Sequence, residues 1–167
     1  PGIGKRQELQ WKNFNLCPTP VSVSRGFFVT IRLMRKREIV LILHNIRSVH
    51  NVGSIFRTAD AAGVGKIYLC GVTPTPLDRF GKIRADFHKV ALGAEKSVIW
   101  VKCHATGRLL GDLKKDRYKV LAVEQHRNSI PYYKFASIRG IRMNSLVRIA
   151  LIFGNEIRGL PPSVLKK

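Results

Sequence analysis

The sequence has few cysteines and histidines, the residues that form disulfides in small secreted domains or bind structural metals. Its three cysteines, Cys17, Cys70 and Cys103, are odd in number, widely spaced and without a Cys-x-x-Cys pair. This pattern argues against a disulfide framework and against a zinc site. The five histidines also lack metal-ligand spacing. We therefore predict reduced, mostly buried thiols and no bound metal.

Acidic residues and long apolar runs are also scarce. Ten Asp and Glu stand against thirty Lys and Arg, which leaves a formal net charge of +20. This charge favours a polyanion as the partner, with binding that weakens as salt rises, and an anionic membrane surface is the competing partner. No stretch is long enough to span a bilayer, and no N-terminal segment resembles a signal peptide. We expect a soluble, cytoplasmic protein without a membrane segment.

Strand and helix signals alternate along the chain from residue 38 onward. Ile39 to Leu43 is an unbroken aliphatic run, typical of a strand covered on both faces. A helix follows, with Asn51 as the predicted cap and Gly63 as the predicted end. Its apolar positions at helical spacing are Val52, Ile55, Phe56, Ala59 and Ala62. With a strand at Lys66 to Cys70, this makes a βαβ unit whose first loop lies where open α/β sheets bind ligands.

The rest of the chain continues the alternation. We predict a strand at 97–102, a helix at 106–116, a strand at 118–123 and a last strand at 146–153. The fold class is therefore α/β, a largely parallel sheet with flanking helices. Residues 1–37 show no sustained period, so we predict an irregular basic N-terminal segment before a domain at 38–167.

Arg57 is the charged residue that stands out on the first helix. It lies outside the apolar positions, and helical side chains lean toward the N-terminus, so it should run over Gly53. With no side chain at 53, the guanidinium can reach back to the loop that carries Asn45, Ser48 and Asn51. The alternative is a solvated arginine beside a helix-packing glycine.

A glycine turn follows the last strand. Gly154 permits a tight turn and a close approach of backbone N–H groups to a ligand, and Glu156 can accept hydrogen bonds from hydroxyl or amino groups. The alternative is an ordinary strand-to-helix turn with an exposed carboxylate. No Rossmann Gly-x-Gly-x-x-Gly is present, so a nicotinamide cofactor has no support.

Two basic stretches are candidates for contact with nucleic acid. Lys82, Arg84, His88 and Lys89 lie among Phe80 and Phe87, a composition that can hold a backbone and stack a base. The alternative is a surface loop anchored by two phenylalanines. Arg35, Lys36 and Arg37 form either an RNA-contacting arm or a solvated lead-in to the first strand.

Two segments carry a resemblance to a known family. Asn45 with NVGSIFRTADAAG at 51–63 resembles the first motif of the SpoU branch of the SPOUT methyltransferases, the TrmH-type enzymes. FGNEIRGL at 153–160 resembles the second motif, in the right order and about a hundred residues downstream. The resemblance implies methyl transfer from S-adenosylmethionine to a ribose 2′-hydroxyl of tRNA or rRNA. It also implies a trefoil knot and a homodimer with active sites at the subunit interface.

The resemblance also implies roles for particular residues. The cofactor-binding set is Gly154, Asn155, Glu156 and Gly159, with Leu160 packing beneath. The catalytic set is Arg57, Asn45 and Glu156. When the two basic stretches described above are included, the predicted RNA-binding set is Arg57, Asn51, Ser48, Lys82, Arg84, Lys89, Arg35, Lys36 and Arg37. Because a guanidinium stays protonated, we expect Arg57 to grip the phosphate and the 2′-oxygen, leaving phosphate or water to take the proton.

The family's third motif, a proline-containing strand and loop before a Ser-Leu-Asn helix start, does not occur within these 167 residues. We therefore expect this chain alone to bind S-adenosylmethionine weakly or not at all, and its intact parent to bind it well. The rival interpretation is a non-catalytic RNA-binding module derived from this fold.

Overall fold

The computed structural model describes residues 38–127, 129–131, 133–134 and 148–165. Its strands are β1 Glu38–His44, β2 Lys66–Cys70, β3 Trp100–Cys103, β4 Lys119–Val123 and β5 Arg148–Phe153. Its helices are α1 Val49–Ala61, α2 Ala85–Ala91, α3 Ala94–Ser97, α4 Thr106–Lys115 and α5 Pro162–Leu165. The predictions for segment 1–37, including Arg35, Lys36 and Arg37, lie outside these residues.

The five strands form one sheet in the order β3-β2-β1-β5-β4, and every pairing is parallel. This confirms the predicted α/β class. The central strand β1 pairs Val40 with Lys66 of β2 and with Ala150 of β5. Since all five strands run the same way, their carboxyl ends meet at one edge of the sheet, where the loops after β1 and β5 lie side by side.

Both faces of the sheet are covered, which explains why β1 is an unbroken aliphatic run. Leu41 and Leu43 pack on one face with α1, α2 and α3, where Phe56 meets Phe87 edge-on at 5.1 Å between ring centroids. Val40 and Ile42 pack on the other face with residues of α4 and α5. Among the described residues, no helix is long and apolar enough to cross a membrane.

Helix α1 begins earlier than its sequence pattern predicted. Ser48 is the N-cap, and its hydroxyl accepts a hydrogen bond from the backbone N–H of Asn51 at 3.2 Å. The prediction of Asn51 as the cap is therefore wrong, because Ser48, three residues earlier, caps the helix and accepts the hydrogen bond from the Asn51 N–H. The predicted stop is confirmed: the helix ends at Ala61, and Gly63 follows in a left-handed conformation with φ of 68°.

Two short helices, α2 and α3, occupy the segment where the sequence predicted a basic loop around Phe80 and Phe87. Their buried positions, Phe87, Ala91 and Ala94, recur every three or four residues against α1. The sequence analysis did not recognise this helical spacing, because the basic residues between these positions are typical of a surface loop. As a result β3 begins at Trp100, later than the strand predicted from residue 97.

Gly53 is a packing glycine. It is buried, and a Cβ placed on it would lie 3.1 Å from the Cβ of Val90 and 3.3 Å from the carbonyl oxygen of Phe87, both in α2. The open route for Arg57 over Gly53 is therefore wrong, because α2 fills that space. The alternative interpretation, a helix-packing glycine, is the one the structure supports.

Gly53→Leu is expected to lower the free energy of unfolding by about 1–3 kcal/mol, since a large side chain there pushes α1 off α2. The loss should appear although leucine improves helix propensity by up to about 1 kcal/mol over glycine. Chemical denaturation measures it. Gly111→Leu is the matched control, because a Cβ at Gly111 of α4 meets nothing within 4 Å. Equal stabilisation of both variants would contradict the packing role.

Candidate active site

The loops that carry the two motifs touch each other at the carboxyl edge of the sheet. Residues 45–51 follow β1 and residues 154–160 follow β5, and these strands are neighbours. Asn155 donates its side-chain N–H to the carbonyl oxygen of Asn45 at 2.8 Å. Segments about a hundred residues apart in sequence therefore form one local structure.

The Glu156 carboxylate joins the two loops through four hydrogen bonds. Its Oε1 accepts from the Ser48 N–H at 3.1 Å and from the Asn51 side-chain amide at 3.2 Å. Its Oε2 accepts from the Arg47 N–H at 3.2 Å and from the Asn155 amide at 3.4 Å. Desolvation alone would raise the pKa of Glu156, but the hydrogen bonds it accepts outweigh burial and hold that pKa below its ordinary value.

Glu156→Gln is expected to lower the free energy of unfolding at pH 7 by about 1 kcal/mol, because an exposed charged acceptor is replaced by a group with only one acceptor oxygen. The lowered pKa means that the carboxylate stabilises the fold above its ordinary pKa of 4.5 and loses this effect as pH falls through the folded-state value. The difference between variant and wild type should therefore shrink toward pH 3.

Urea denaturation at pH 7 and at pH 3 measures this difference. Asp112→Asn is the matched control, since that surface carboxylate has a lysine partner only at 3.7 Å. A Glu156→Gln difference that is the same at both pH values would contradict the proposed contribution of the charge.

The turn after β5 is closed by short contacts between its own backbone groups. Asn155 N–H donates to Gly159 O at 3.2 Å, and Gly159 N–H donates to Asn155 O at 2.9 Å. A Cβ on Gly154 would lie 2.5 Å from the carbonyl carbon of Gly159. Gly159 has φ of 63°, and Leu160 is buried beneath the turn beside Leu110 and Ile152. Glycine at 154 and 159 is thus required by the path of the chain itself.

The Asn45 side chain makes hydrogen bonds that connect the end of β1 with the loop after β2. It adopts a left-handed conformation with φ of 57°, which Asn tolerates better than most residues. Its Oδ1 accepts from the Val72 N–H at 3.1 Å, which fixes the amide orientation, and its Nδ2 donates to His44 Nε2 at 3.0 Å. His44 must then donate from Nδ1 to the Thr106 hydroxyl at 2.9 Å. Burial lowers the pKa of His44, consistent with a neutral ring.

The structure brings Asn45, Ser48, Asn51 and Glu156 together, but it leaves Arg57 apart from them. Arg57 is exposed on α1, and its side chain makes no hydrogen bond or ion pair with any residue that the structure describes. Its five N–H donors are therefore not used within the described fold. Asn45 does not orient Arg57 in this arrangement, because its amide is engaged with His44 and Val72.

The basic stretch around α2 presents one aromatic ring to solvent. Phe87 is fully buried, whereas Phe80 is 72% exposed and has the Arg79 guanidinium 4.7 Å from its ring centroid. Arg84 forms an ion pair with Asp86 at 2.8 Å. Lys82 and Lys89 are exposed. A surface for stacking therefore rests on Phe80, not on the predicted pair of phenylalanines.

Two charged residues of this edge were missed by sequence reasoning. Lys102 of β3 donates from Nζ to the carbonyl oxygens of Gly71 and Thr73, both at 2.6 Å. Nothing in the sequence separates it from other strand lysines. Glu124 accepts at Oε2 from the Leu160 N–H at 2.8 Å. It directly follows the predicted strand ending at Val123, so its position at a strand end was an available signal.

The cavities and the metal-ligating side chains of the described residues give no sign of a binding site other than the one formed by the loops after β1 and β5. A cavity of about 410 Å³ lies at the opposite edge of the sheet, beside Glu38, Val98 and the C-terminal end of the first motif at Asp60 and Gly63, and it does not include the loops after β1 and β5. A smaller one of about 100 Å³ lies between α4, β5 and α5. Within the described part of the chain, no three or more His, Cys, Asp or Glu residues are grouped so that they could hold a metal ion.

Curated relatives share most of this chain. The protein is 30% identical over 122 residues to the 23S rRNA (guanosine-2′-O-)-methyltransferase RlmB of Blochmanniella floridana, covering 73% of this chain and 42% of the relative. It is 28% identical over 127 residues to RlmB of Salmonella typhi, covering 76% and 46%. The chain thus spans less than half the length of these relatives.

Solved structures share the fold. The AdoMet-bound rRNA methyltransferase from Sinorhizobium meliloti superposes with a TM-score of 0.59 at 26% identity, covering 78% of this chain and 44% of that one. The TrmH/SpoU tRNA modifying enzyme of A. aeolicus gives 0.60 at 22% identity, covering 80% and 60%. The profile of the SpoU rRNA Methylase family matches residues 38–167. With both motifs joined at one sheet edge, this chain belongs to the SpoU rRNA methylase family.

Proposed function

We propose that the protein transfers a methyl group from S-adenosylmethionine to a ribose 2′-hydroxyl of RNA. The observation that carries the proposal is the Glu156 carboxylate, which ties the loop after β1 to the turn after β5. Family membership and the names of the relatives support it. Because the curated relatives are named as 23S rRNA enzymes, rRNA is the favoured substrate over tRNA.

The turn after β5 is the segment that we assign to the cofactor. Glycine at 154 and 159 lets the chain fold back tightly on itself, and Leu160 supplies an apolar floor beneath the turn. Gly154, Asn155 and Gly159 would therefore hold S-adenosylmethionine. When bound, that group supplies an electrophilic methyl on a positively charged sulfur. The weak cofactor affinity expected of residues 1–167 alone stays a prediction.

Arg57 is assigned the substrate side of the site. A ribose hydroxyl is a poor nucleophile, so its developing negative charge needs a positioned donor. The guanidinium has unused donors and stays protonated, so it grips the neighbouring phosphate and the 2′-oxygen, while phosphate or water takes the proton. Asn45 fixes the loop that shapes this side, and Glu156 sets the position of Ser48 and Asn51.

RNA would lie along the exposed basic surface next to this edge. Lys82 and Lys89 are exposed and can contact phosphates, and Phe80 offers a face for stacking. Arg84 can contact a phosphate with the Nη1 group that its ion pair with Asp86 does not use. The formal charge of +20 makes this binding salt-dependent. The trefoil knot and the homodimer implied by the family belong to the same proposal.

Incorporation of labelled methyl groups tests the proposal. The full-length protein is incubated with methyl-labelled S-adenosylmethionine and unmodified rRNA transcripts, and we expect label in the RNA only when protein and cofactor are both present. Absence of label with a range of rRNA and tRNA transcripts would overturn it.

The competing function is an RNA-binding module without catalysis. The exposed basic residues around α2 favour it equally, because they require only phosphate contact. Salt-dependent RNA binding cannot separate the two functions. Calorimetric titration with S-adenosylmethionine can, since only the enzyme needs a cofactor site.

A further inference from the structure

We propose that Glu124 is the carboxylate of this site that contacts the cofactor, by accepting hydrogen bonds from the ribose hydroxyls of S-adenosylmethionine. The inference rests on the proposed function and names a cofactor-binding residue that neither motif contains. It assigns Glu156, the motif carboxylate, to positioning the loop after β1.

The hydrogen-bond capacity of Glu156 is used up within the protein. A carboxylate has about four lone-pair positions, two on each oxygen. Oε1 of Glu156 receives Ser48 N–H and the Asn51 amide, and Oε2 receives Arg47 N–H and the Asn155 amide. No position is left for a ligand donor unless one of these contacts breaks.

Glu124 has capacity to spare at the other side of the same turn. Its Oε2 accepts from the Leu160 N–H at 2.8 Å, and its Oε1 accepts from the Gln125 N–H at 3.2 Å. Counting the donors in the described part of the chain, one lone-pair position on each oxygen is left for a ligand. The side chain is half-buried, so it is partly shielded from bulk water yet accessible.

The position of Glu124 matches the cofactor side of the site. It follows β4, the neighbour of β5 in the sheet, and so borders the turn of Gly154 to Leu160. A Cβ on Gly159 would lie 2.5 Å from its Oε2, so glycine at 159 keeps the carboxylate against the turn. The two oxygens offer one open position each, which complements the two adjacent hydroxyls of a ribose.

The test compares S-adenosylhomocysteine with its 3′-deoxyribose analogue by calorimetry on the full-length protein. In the wild type, loss of the hydroxyl should weaken binding about tenfold, as expected for a hydrogen bond to a charged acceptor. In Glu124→Ala the two ligands should bind alike. Asp112→Ala is the matched control, because this surface carboxylate of α4 lies outside both motifs, and it should keep the tenfold ratio.

A merely structural role for Glu124 would weaken both ligands by the same factor and leave the ratio unchanged, which overturns the inference. If Glu124→Ala fails to fold, Glu124→Gln keeps an oxygen for the Leu160 N–H and should reduce the ratio to about threefold, since neutral hydrogen bonds are roughly half as strong. A wild type that binds neither ligand would overturn the proposed function itself. Binding with an equal ratio in all variants would overturn only the role of Glu124.

Discussion

Arg57→Lys is expected to reduce methyl transfer by the full-length protein about 100-fold or more, the effect of removing one positioned donor from a developing oxyanion. RNA affinity should change only a few-fold, because the positive charge is kept. The reason is geometric: a guanidinium offers a planar fork of five N–H donors, whereas an ammonium is a compact point charge that cannot hold phosphate and 2′-oxygen together.

A loss of activity in this variant can be separated from a loss of stability, because Arg57 contributes little to the described fold. Its side chain is exposed and has no hydrogen-bonding partner among the described residues, so the variant should unfold at the wild-type denaturant concentration. Arg117→Lys is the matched control, since Arg117 is exposed at the opposite edge between α4 and β4. Single-turnover rates measure the effect. Near-normal methylation by Arg57→Lys would remove the role assigned to the guanidinium.

Gly154→Ala is expected to weaken cofactor binding roughly tenfold to hundredfold, because overpacking costs of about 1–3 kcal/mol fall on the turn that forms the site. The added Cβ would lie 2.5 Å from Gly159 C and 2.6 Å from Leu160 N, and these are backbone atoms that cannot rotate away. The turn must therefore open, which also separates Leu160 from the apolar cluster beneath it.

Calorimetric titration of S-adenosylmethionine measures this loss. Gly111→Ala is the control: nothing lies within 4 Å of its added Cβ, so it should stabilise α4 by up to about 1 kcal/mol and leave cofactor affinity unchanged. A Gly154→Ala variant with wild-type affinity would show that the turn does not form the cofactor side.

The strands were predictable from sequence because both faces of the sheet are covered. The aliphatic run at 39–43 and the segment 66–70 stand out locally, and the structure places β1 and β2 on them. The helix α4 was equally visible from its apolar period. These elements are defined by apolar patterns within a few neighbouring residues, so they can be predicted from a single sequence.

The features that the sequence analysis predicted wrongly or did not find depend on contacts between segments that are distant in the chain. Whether Gly53 leaves space for Arg57 or packs against α2 is decided by Val90, and no local pattern at 53 reveals it. Phe87 reads as an exposed aromatic until Phe56 is placed beside it. Glu156 could be named from the turn, but its link to Arg47, Ser48 and Asn51 requires knowing that β1 and β5 are neighbours.

The measurement that tests the account most directly is the chemical position of the transferred methyl group. RNA treated with the full-length protein and isotopically labelled S-adenosylmethionine is digested to nucleosides and analysed by mass spectrometry, with Arg57→Lys in parallel. The account predicts a label on ribose, as a 2′-O-methylnucleoside, that is nearly absent with the variant. A label found on a base, or RNA that is bound tightly but never labelled, would contradict it.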